Sequence, residues 1–232
     1  MSFGPIMRCT VPKSGLDIEL APLTSEAVQE CISRQHATNM QCHSITRYLG
    51  MSTAPVAEDQ QGWFEKVRTD RHRLIWGIWL LEDRERTLIG VSSLDRIGQD
   101  GHTPLIRQAV SGSQIFRKEY WGKGIATTVH KARTWYAFTQ LGLHRIKSAV
   151  IQENGGSSTA LGRVGYSYVY TERNEQFSDG KLHHLDCYEC LNPLEPFWTV
   201  WWGEDTPSAD LLDARKYTLE ALAWAEQHVT LP

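Results

Sequence analysis

The stretch from Arg117 to Ala126 reads Arg-Lys-Glu-Tyr-Trp-Gly-Lys-Gly-Ile-Ala, and it decides the fold. It follows a β-type run that ends at Phe116 and precedes a segment with apolar residues at helical spacing. These apolar residues are Ile125, Val129, Ala132 and Tyr136. Gly122 and Gly124 let the backbone approach a ligand closely, and a helix N-terminus offers unpaired N–H groups to an anion. The pattern therefore predicts a phosphate-binding turn at the start of a helix that ends near residue 140.

The segments on either side of this turn alternate between strand and helix patterns. Upstream we predict a strand over 16–23, helices from 24 and over 56–69, and a three-stranded antiparallel meander over 74–82, 87–94 and 105–116. Downstream we predict a strand over 144–151, a short helix over 155–163, and strands from 164 and over 182–190, joined by a loop at about 172–181. The order of these elements indicates a mixed α and β domain.

Composition and charge limit the class of protein. The formal net charge is −3, with 41% hydrophobic and 22% charged residues, which is typical of a soluble globular protein and disfavours nucleic acid as a partner. The longest apolar run, residues 74–81, is far shorter than the roughly 20 residues that a membrane-spanning helix needs. The N-terminus lacks the features of a secretory signal, and the five cysteines are too few and too scattered for a disulfide framework. We therefore expect a cytoplasmic protein that does not enter a membrane.

The run from Tyr120 to Tyr166 resembles the GNAT N-acetyltransferases, specifically the Rim-type branch of ribosomal-protein alanine acetyltransferases. Three blocks carry the resemblance: Tyr-Trp-Gly-Lys-Gly-Ile-Ala-Thr at 120–127, Leu-Gly-Leu-His-Arg-Ile at 141–146, and Asn154 with Ser157 and Gly165-Tyr166. It extends more loosely over residues 16–191 and fails after that. The resemblance implies the GNAT fold, an α/β (α+β) architecture. Its central sheet is mixed and mostly antiparallel, has six to seven strands, is splayed at the acetyl-CoA site, and is flanked by helices.

The resemblance also implies which residues hold the acyl donor, acetyl-CoA. The donor-binding positions are Gln114, Ile115, Phe116, Tyr120, Trp121, Gly122, Lys123, Gly124, Ile125, Ala126, Asn154 and Ser157. For Asn154 the alternative is a cap on the helix that begins at 155. Ser157 matches a hydroxyl that can protonate the departing CoA thiolate, and its alternative is a bond to its own backbone.

The general base is the point at which this chain departs from the family pattern. Many Rim-like members carry a glutamate on the strand before the glycine turn, and Ser111 stands there in this chain. On the strand 182–190, His184 with Asp186 is a candidate base through water, and Asp95 is another. For each of these the alternative is a surface or hydrogen-bonded residue. We interpret His130 as a partly exposed residue of the central helix rather than as a catalyst.

A zinc site at Cys187 and Cys190 is a weaker alternative. Residues i and i+3 of a strand point to opposite faces, and no second ligand pair is visible at a suitable spacing. We therefore expect no metal. Direct acetyl transfer needs none.

The sequence predicts an N-acetyltransferase that transfers an acetyl group from acetyl-CoA directly to a primary amine through a ternary complex. The acceptor is a protein N-terminus or a small-molecule amine. A non-catalytic acyl-CoA-binding sensor or scaffold is the alternative, and Ser111 favours it. A third, weaker hypothesis, an acyltransferase acting on nucleic acid, rests on Arg68, Arg71 and Arg73.

Two units are predicted: a GNAT domain over 1–191 and a C-terminal extension over 192–232. The extension contains Trp198, Trp201 and Trp202 and a predicted helix from Ser208 to about His228. That helix carries apolar residues around most of its circumference, so we expect it to be packed. It either docks on the core sheet, or completes the acceptor pocket or a homodimer interface.

Overall fold

The structure is a computed structural model, and it describes residues 3–30, 42–49, 55–82, 85–98 and 106–232. The strands are β1 (Met7–Thr10), β2 (Asp17–Ala21), β3 (Leu74–Glu82), β4 (Glu85–Asp95), β5 (Gln108–Ile115), β6 (Arg145–Ile151), β7 (Ser167–Ser178) and β8 (Lys181–Leu191). The helices are α1 (Ser25–Glu30), α2 (His43–Thr46), α3 (Ala57–Thr69), α4 (Ile125–Trp135), α5 (Gly155–Gly162), α6 (Phe197–Trp202) and α7 (Ala209–His228). Helix α4 continues as one π-helical turn over Tyr136–Gln140.

The strands form one sheet in the order β1-β2-β3-β4-β5-β6-β8-β7. Every neighbouring pair is antiparallel except β5 and β6, which run parallel. These two strands are paired only from Gln108–Val110 to Arg145–Lys147. Beyond that point they separate, so the sheet opens into a V at its centre.

The mixed, mostly antiparallel sheet flanked by helices confirms the predicted fold class. It contains eight strands, where six to seven were expected, because the N-terminal residues 7–10 pair with β2 as an additional strand. The predicted loop over 172–181 is wrong, since β7 continues to Ser178 and pairs directly with Lys181 of β8. Asp179 and Gly180 form the two-residue turn between them, and Asp-Gly is a strong local signal for such a hairpin.

Apolar side chains cover both faces of the sheet. On one face, Ile125 and Val129 of α4 pack in a core cluster with Leu222 of α7. On the other face, Phe64 and Val67 of α3 form a second cluster with residues of α1 and β3. The sheet is thus the middle layer of three, and α4 lies against it next to the V. No helix within the described ranges is both long enough and apolar enough to cross a bilayer.

The C-terminal extension lies on the α4 side of the sheet. Helix α7 begins at the predicted cap, where the Ser208 hydroxyl accepts a hydrogen bond from the Leu211 N–H at 3.4 Å. It packs on α4 and against β7 and β8. Trp198 of α6 is buried, with the Arg215 guanidinium 4.5 Å from its ring centre. The extension therefore contacts the core extensively, and its status as a unit separate from 1–191 stays a prediction.

Candidate active site

A cavity of about 760 Å³ occupies the V between β5 and β6. Its walls include the separated ends of both strands, the glycine turn before α4, the first turn of α5, and the 3-10 turn after α2. The lining contains Gly122 and Ala126 at the glycine turn, and also Tyr48 of the 3-10 turn, Gln176 of β7 and Leu185 of β8. The cavity thus connects the predicted phosphate-binding turn with the splay of the sheet.

The glycine turn has the conformation that the sequence predicted. Gly122 and Gly124 have φ angles of 71° and 91°, and Gly124 is the N-cap of α4. The backbone N–H groups of residues 122–127 bond to no other residue that the structure describes. The Nζ of Lys13 donates a hydrogen bond of 2.6 Å to the Gly122 carbonyl oxygen and so brings a cation beside the turn. Free N–H groups, the positive end of the helix dipole and Lys13 together suit a bound phosphate.

The predicted donor-binding residues are distributed unevenly around this cavity. Those that line it are Gln114, Ile115, Tyr120, Trp121, Gly122, Gly124, Ile125, Ala126, Asn154 and Ser157. Phe116 does not, because its side chain packs in the cluster on the other face and its N–H donates to the Ile89 carbonyl oxygen at 3.1 Å. Lys123 is not in the lining either, and its Nζ lies 5.1 Å from the centre of the Tyr120 ring. Lys13, whose contact with the turn spans 109 residues of chain, has the place at the turn that was predicted for Lys123.

Asn154 both caps a helix and faces the cavity. Its side-chain oxygen accepts a hydrogen bond from the Ser157 N–H at 3.3 Å, which is the capping arrangement considered as the alternative. Asn154 and Ser157 nevertheless both line the cavity. Capping α5 and contacting a ligand in the V are therefore compatible, and the catalytic role of Ser157 stays a prediction.

His184 and Asp186 lie outside the cavity lining, where the neighbouring Leu185 of β8 is found instead. The Asn174 N–H donates to His184 Nδ1 at 3.0 Å. Asp186 Oδ1 accepts hydrogen bonds from Gln152 Nε2 at 2.9 Å and from Thr171 Oγ1 at 2.7 Å. Residues i and i±1 of a strand point to opposite faces. His184 borders a separate depression, and the catalytic role of His184 with Asp186 stays a prediction that this placement does not favour.

Other candidate residues are held by partners away from the cavity. Asp95 is ion-paired with Arg73 and accepts a hydrogen bond of 2.6 Å from Ser93 Oγ. Cys190 is buried next to Thr218 of α7, and burial raises the pKa of its thiol to about 12. In the described ranges, no three His, Cys, Asp or Glu side chains lie close enough together to hold a metal ion.

The position of the expected base is a buried serine at the vertex of the V. Ser111 is 8% exposed and lines the cavity just after the last residue of β5 that pairs with β6. A serine hydroxyl stays protonated at neutral pH and is a weak base. No Asp or Glu is found among the described residues of the cavity lining.

His130 is the titratable side chain that sequence reasoning placed wrongly. It was expected to be partly exposed, but only 4% of it is exposed, and it lines the cavity from the second turn of α4. Burial in the first place, and then the nearby Arg133, lower the pKa of His130 well below its ordinary value. The available signal in the sequence was that His130 directly follows Val129 on α4. The buried face of that helix is wide enough to include both residues.

Arg133, one turn further along α4, is completely buried. Its Nη1 donates to the Gly112 carbonyl oxygen at 2.7 Å and to Ser92 Oγ at 2.9 Å, and its Nη2 lies 2.8 Å from His130 Nδ1. It forms no ion pair with a carboxylate of the described residues. A buried cation that is held by neutral acceptors therefore lies beside the strand that lines the V.

The family model for the acetyltransferase (GNAT) domain matches residues 18–167. The chain therefore belongs to the GNAT acetyltransferase family, whose members take the acetyl group from acetyl-CoA. This match confirms the predicted family and makes the protein an acetyltransferase by class.

Several solved structures share the fold. RimJ of Mycobacterium smegmatis in complex with CoA-disulfide has a TM-score of 0.69 at 17% identity, and the match covers 99% of this chain and 97% of that one. Spermidine N-acetyltransferase of Vibrio cholerae, in complex with CoA and spermine, has a TM-score of 0.62 at 22% identity, over 75% of this chain and 95% of that one. A GNAT-family acetyltransferase of Bacillus anthracis has a TM-score of 0.59 at 17% identity, over 81% and 99%. The match with RimJ spans nearly the whole chain and so includes the extension after Leu191.

Proposed function

We propose that this protein transfers the acetyl group of acetyl-CoA directly to a primary amine within a ternary complex. The observation that carries the proposal is the single cavity that joins the glycine turn to the splay between β5 and β6. The pyrophosphate of the donor lies on the N–H groups of residues 122–127, beside Lys13. The pantetheine arm follows Gln114 and Ile115 into the V, and Asn154 contacts it from the opposite wall.

In this proposal the thioester lies near the vertex of the V. A neutral amine nitrogen attacks the carbonyl carbon, the carbonyl electrons move to oxygen, and collapse of the adduct breaks the C–S bond. The thiolate leaves with the electron pair, and the proton lost by nitrogen ends on sulfur. In this proposal Ser157 gives its hydroxyl proton to the thiolate, and water carries the amine proton from the nitrogen to the Ser157 oxygen, which restores the hydroxyl.

We further propose that the acceptor has one amine group, which is the one that reacts, and no further ammonium groups. A peptide N-terminus fits this description better than a polyamine does. A polyamine keeps further ammonium groups, which need carboxylate partners when they bind. Among the described lining residues the charged side chains are Lys13 and Arg163, and both are cationic. RimJ, the structural neighbour whose match covers 99% of this chain, is of the Rim type.

A competition experiment tests this function. The protein is incubated with acetyl-CoA and an equimolar pool of peptides with different N-terminal residues, amino acids and polyamines, and mass spectrometry identifies the acetylated species. We expect one class of peptide N-terminus to gain acetyl groups as free CoA forms in equal amount. Preferential acetylation of spermidine or spermine would overturn the acceptor class and leave acetyl transfer intact.

A sensor that binds acyl-CoA without transferring the acetyl group is the second candidate function. The observation that favours it is Ser111 at the position of the expected base, together with the absence of Asp and Glu from the described part of the cavity lining. A rise in melting temperature with acetyl-CoA is expected for either function. Binding without formation of free CoA across the whole acceptor pool is expected only of the sensor.

A further inference from the structure

His130 and Arg133 form a buried pair whose hydrogen bonds fix the state of the histidine. Arginine has only donors, so the 2.8 Å contact between Arg133 Nη2 and His130 Nδ1 requires that Nδ1 be the bare acceptor of a neutral ring. The remaining proton of a neutral imidazole is then on Nε2. His130 lines the cavity, and with Nδ1 bonded to Arg133 its Nε2–H is the polar group of the side chain that remains for a ligand there.

The pair lies at the vertex of the V. Arg133 Nη1 holds the carbonyl oxygen of Gly112, which is two residues beyond the last β5 residue that pairs with β6. Ser111, Gly112 and Ser113 line the cavity at this point together with His130 and with Ser148 of β6. Both side chains are therefore next to the place where the two strands part.

An arginine without a carboxylate partner is an expensive feature of a protein interior. Moving a cation out of water is unfavourable, and neutral hydrogen bonds recover only part of the lost hydration. Arg133 is fully buried and bonds Ser92, Gly112 and His130 as acceptors, with no carboxylate among the described residues. The arrangement leaves a positive potential at the vertex, which stabilises an anion that forms there.

We propose that His130 donates its Nε2–H to the carbonyl oxygen of the acetyl thioester and stabilises the oxyanion that forms when the amine attacks. Arg133 is the positioning residue: it fixes the tautomer and adds its positive charge behind the ring. His130 gives up no proton and accepts none in this step. The inference rests on the proposed acetyl transfer, and it assigns the residue that stabilises the charge rather than the base.

Two substitutions of His130 distinguish the role of the Nε2–H donor from the role of the ring in packing. The side-chain oxygen of His130→Asn takes the place of Nδ1 and still accepts from Arg133, but no donor reaches the position of Nε2. The side chain of His130→Gln carries an N–H group to that position. We expect His130→Asn to lower kcat about 100-fold or more, as for loss of one oxyanion donor, with KM for acetyl-CoA nearly unchanged. We expect the kcat of His130→Gln to be at least tenfold higher than that of His130→Asn.

Controls keep the outcome separate from folding and from the proposed function. His228→Asn changes an exposed histidine at the end of α7 and leaves kcat as it is. Thermal melting of each variant reports the fold. Equal kcat for His130→Asn and the unchanged protein, or a loss in His130→Gln as large as in His130→Asn, overturns the inference. Absence of transfer by the unchanged protein overturns the proposed function instead.

A measurement without turnover tests the same assignment. Long-range ¹H–¹⁵N NMR of the ligand-free protein reads which ring nitrogen of His130 carries the proton, and we expect Nε2. Acetonyl-CoA has the carbonyl group but cannot transfer an acetyl group, whereas CoA lacks the carbonyl. We expect the Nε2–H resonance to move downfield with acetonyl-CoA and not with CoA. Equal shifts with both ligands, or a proton on Nδ1, would falsify the assignment.

Discussion

Gly165 lies so close to Thr218 that a Cβ atom on the glycine would come within 2.1 Å of the threonine Oγ1. The same Cβ would be 2.3 Å from the carbonyl oxygen of Ala214. Thr218 Oγ1 lies 3.2 Å from the Val164 carbonyl oxygen and 2.9 Å from that of Ala214, so it donates to one of them. The block that resembles the family is thus in direct contact with the C-terminal helix.

Substitution of Gly165 by alanine is therefore expected to displace α7. Overlap with helix backbone cannot be relieved by a side-chain rotation, so we expect a loss of about 1 to 3 kcal/mol in the free energy of unfolding. Urea denaturation measures the loss, and hydrogen exchange of the α7 amides shows where it falls. Gly180→Ala is the matched control: Gly180 has a φ of 72°, against 85° for Gly165, and an added Cβ there would have no described atom within 4 Å. Unchanged exchange in α7 of Gly165→Ala would contradict the expectation.

Gly122 tests the phosphate-binding turn. Its φ of 71° is unfavourable for alanine, and an added Cβ would enter open space at the cavity wall. We expect Gly122→Ala to raise the Kd for acetyl-CoA at least tenfold, or about 1.4 kcal/mol, by calorimetric titration. Gly98 has a φ of 72° and also has no described atom within 4 Å of an added Cβ, but it does not line the cavity. Gly98→Ala should show the same backbone strain with an unchanged Kd, and equal Kd values for the two variants count against the turn.

The parts of the site that could be predicted are those encoded by local pattern. The glycine turn, the helix that follows and the strand before it were all located from contiguous residues, because N-caps and apolar periodicity depend on neighbours in the chain. The dipeptide Asp179-Gly180 is also a local signal, since it indicates a tight hairpin turn. The prediction of a long loop over 172–181 overlooked it.

The parts that were missed depend on contacts distant in sequence. Lys13 reaches Gly122 only because the turn that links β1 and β2 lies beside the start of α4, and no motif near Lys13 indicates this. The apolar periodicity of α4 assigned Val129, and not His130, to the buried face of the helix. His130 is buried because the packed face of α4 is wider than its apolar stripe. The glycine turn and the start of α4 were thus predictable, whereas the polar groups at the vertex of the V were not.

The buried state of His130 predicts how stability depends on pH. Its pKa is lowered in the folded protein, so below its ordinary value of 6.5 the unfolded chain binds a proton that the folded chain does not. Above pH 6.5 neither state binds this proton, so the free energy of unfolding does not depend on it. Below pH 6.5 the free energy of unfolding falls by about 1.4 kcal/mol per pH unit. The titratable or charged groups that face the ring are Arg133 of α4 and Tyr166 before β7, and the burial of Tyr166 raises its pKa.

Urea denaturation at about pH 7.5 and about pH 5.5 measures this effect. We expect the unchanged protein to lose about 1 kcal/mol more over this range than His130→Asn does. His228→Asn removes an exposed histidine and should keep the steeper loss. Parallel losses in the unchanged protein and His130→Asn would mean that His130 is protonated in the folded state.

Lys13 should contribute to donor affinity through charge. Its Nζ is 2.6 Å from the Gly122 carbonyl oxygen and lies at the end of the cavity where the phosphates are proposed to bind. Lys13→Met keeps the length of the side chain and removes the cation, so we expect the Kd for acetyl-CoA to rise about 5- to 10-fold at low salt. The difference should shrink at about 0.5 M salt, because exposed charges are screened. Lys216→Met, on the exposed side of α7, is the control and should bind normally. A rise in Kd for Lys13→Met that salt does not reduce would show that Lys13 acts by packing the turn and not by attracting phosphate.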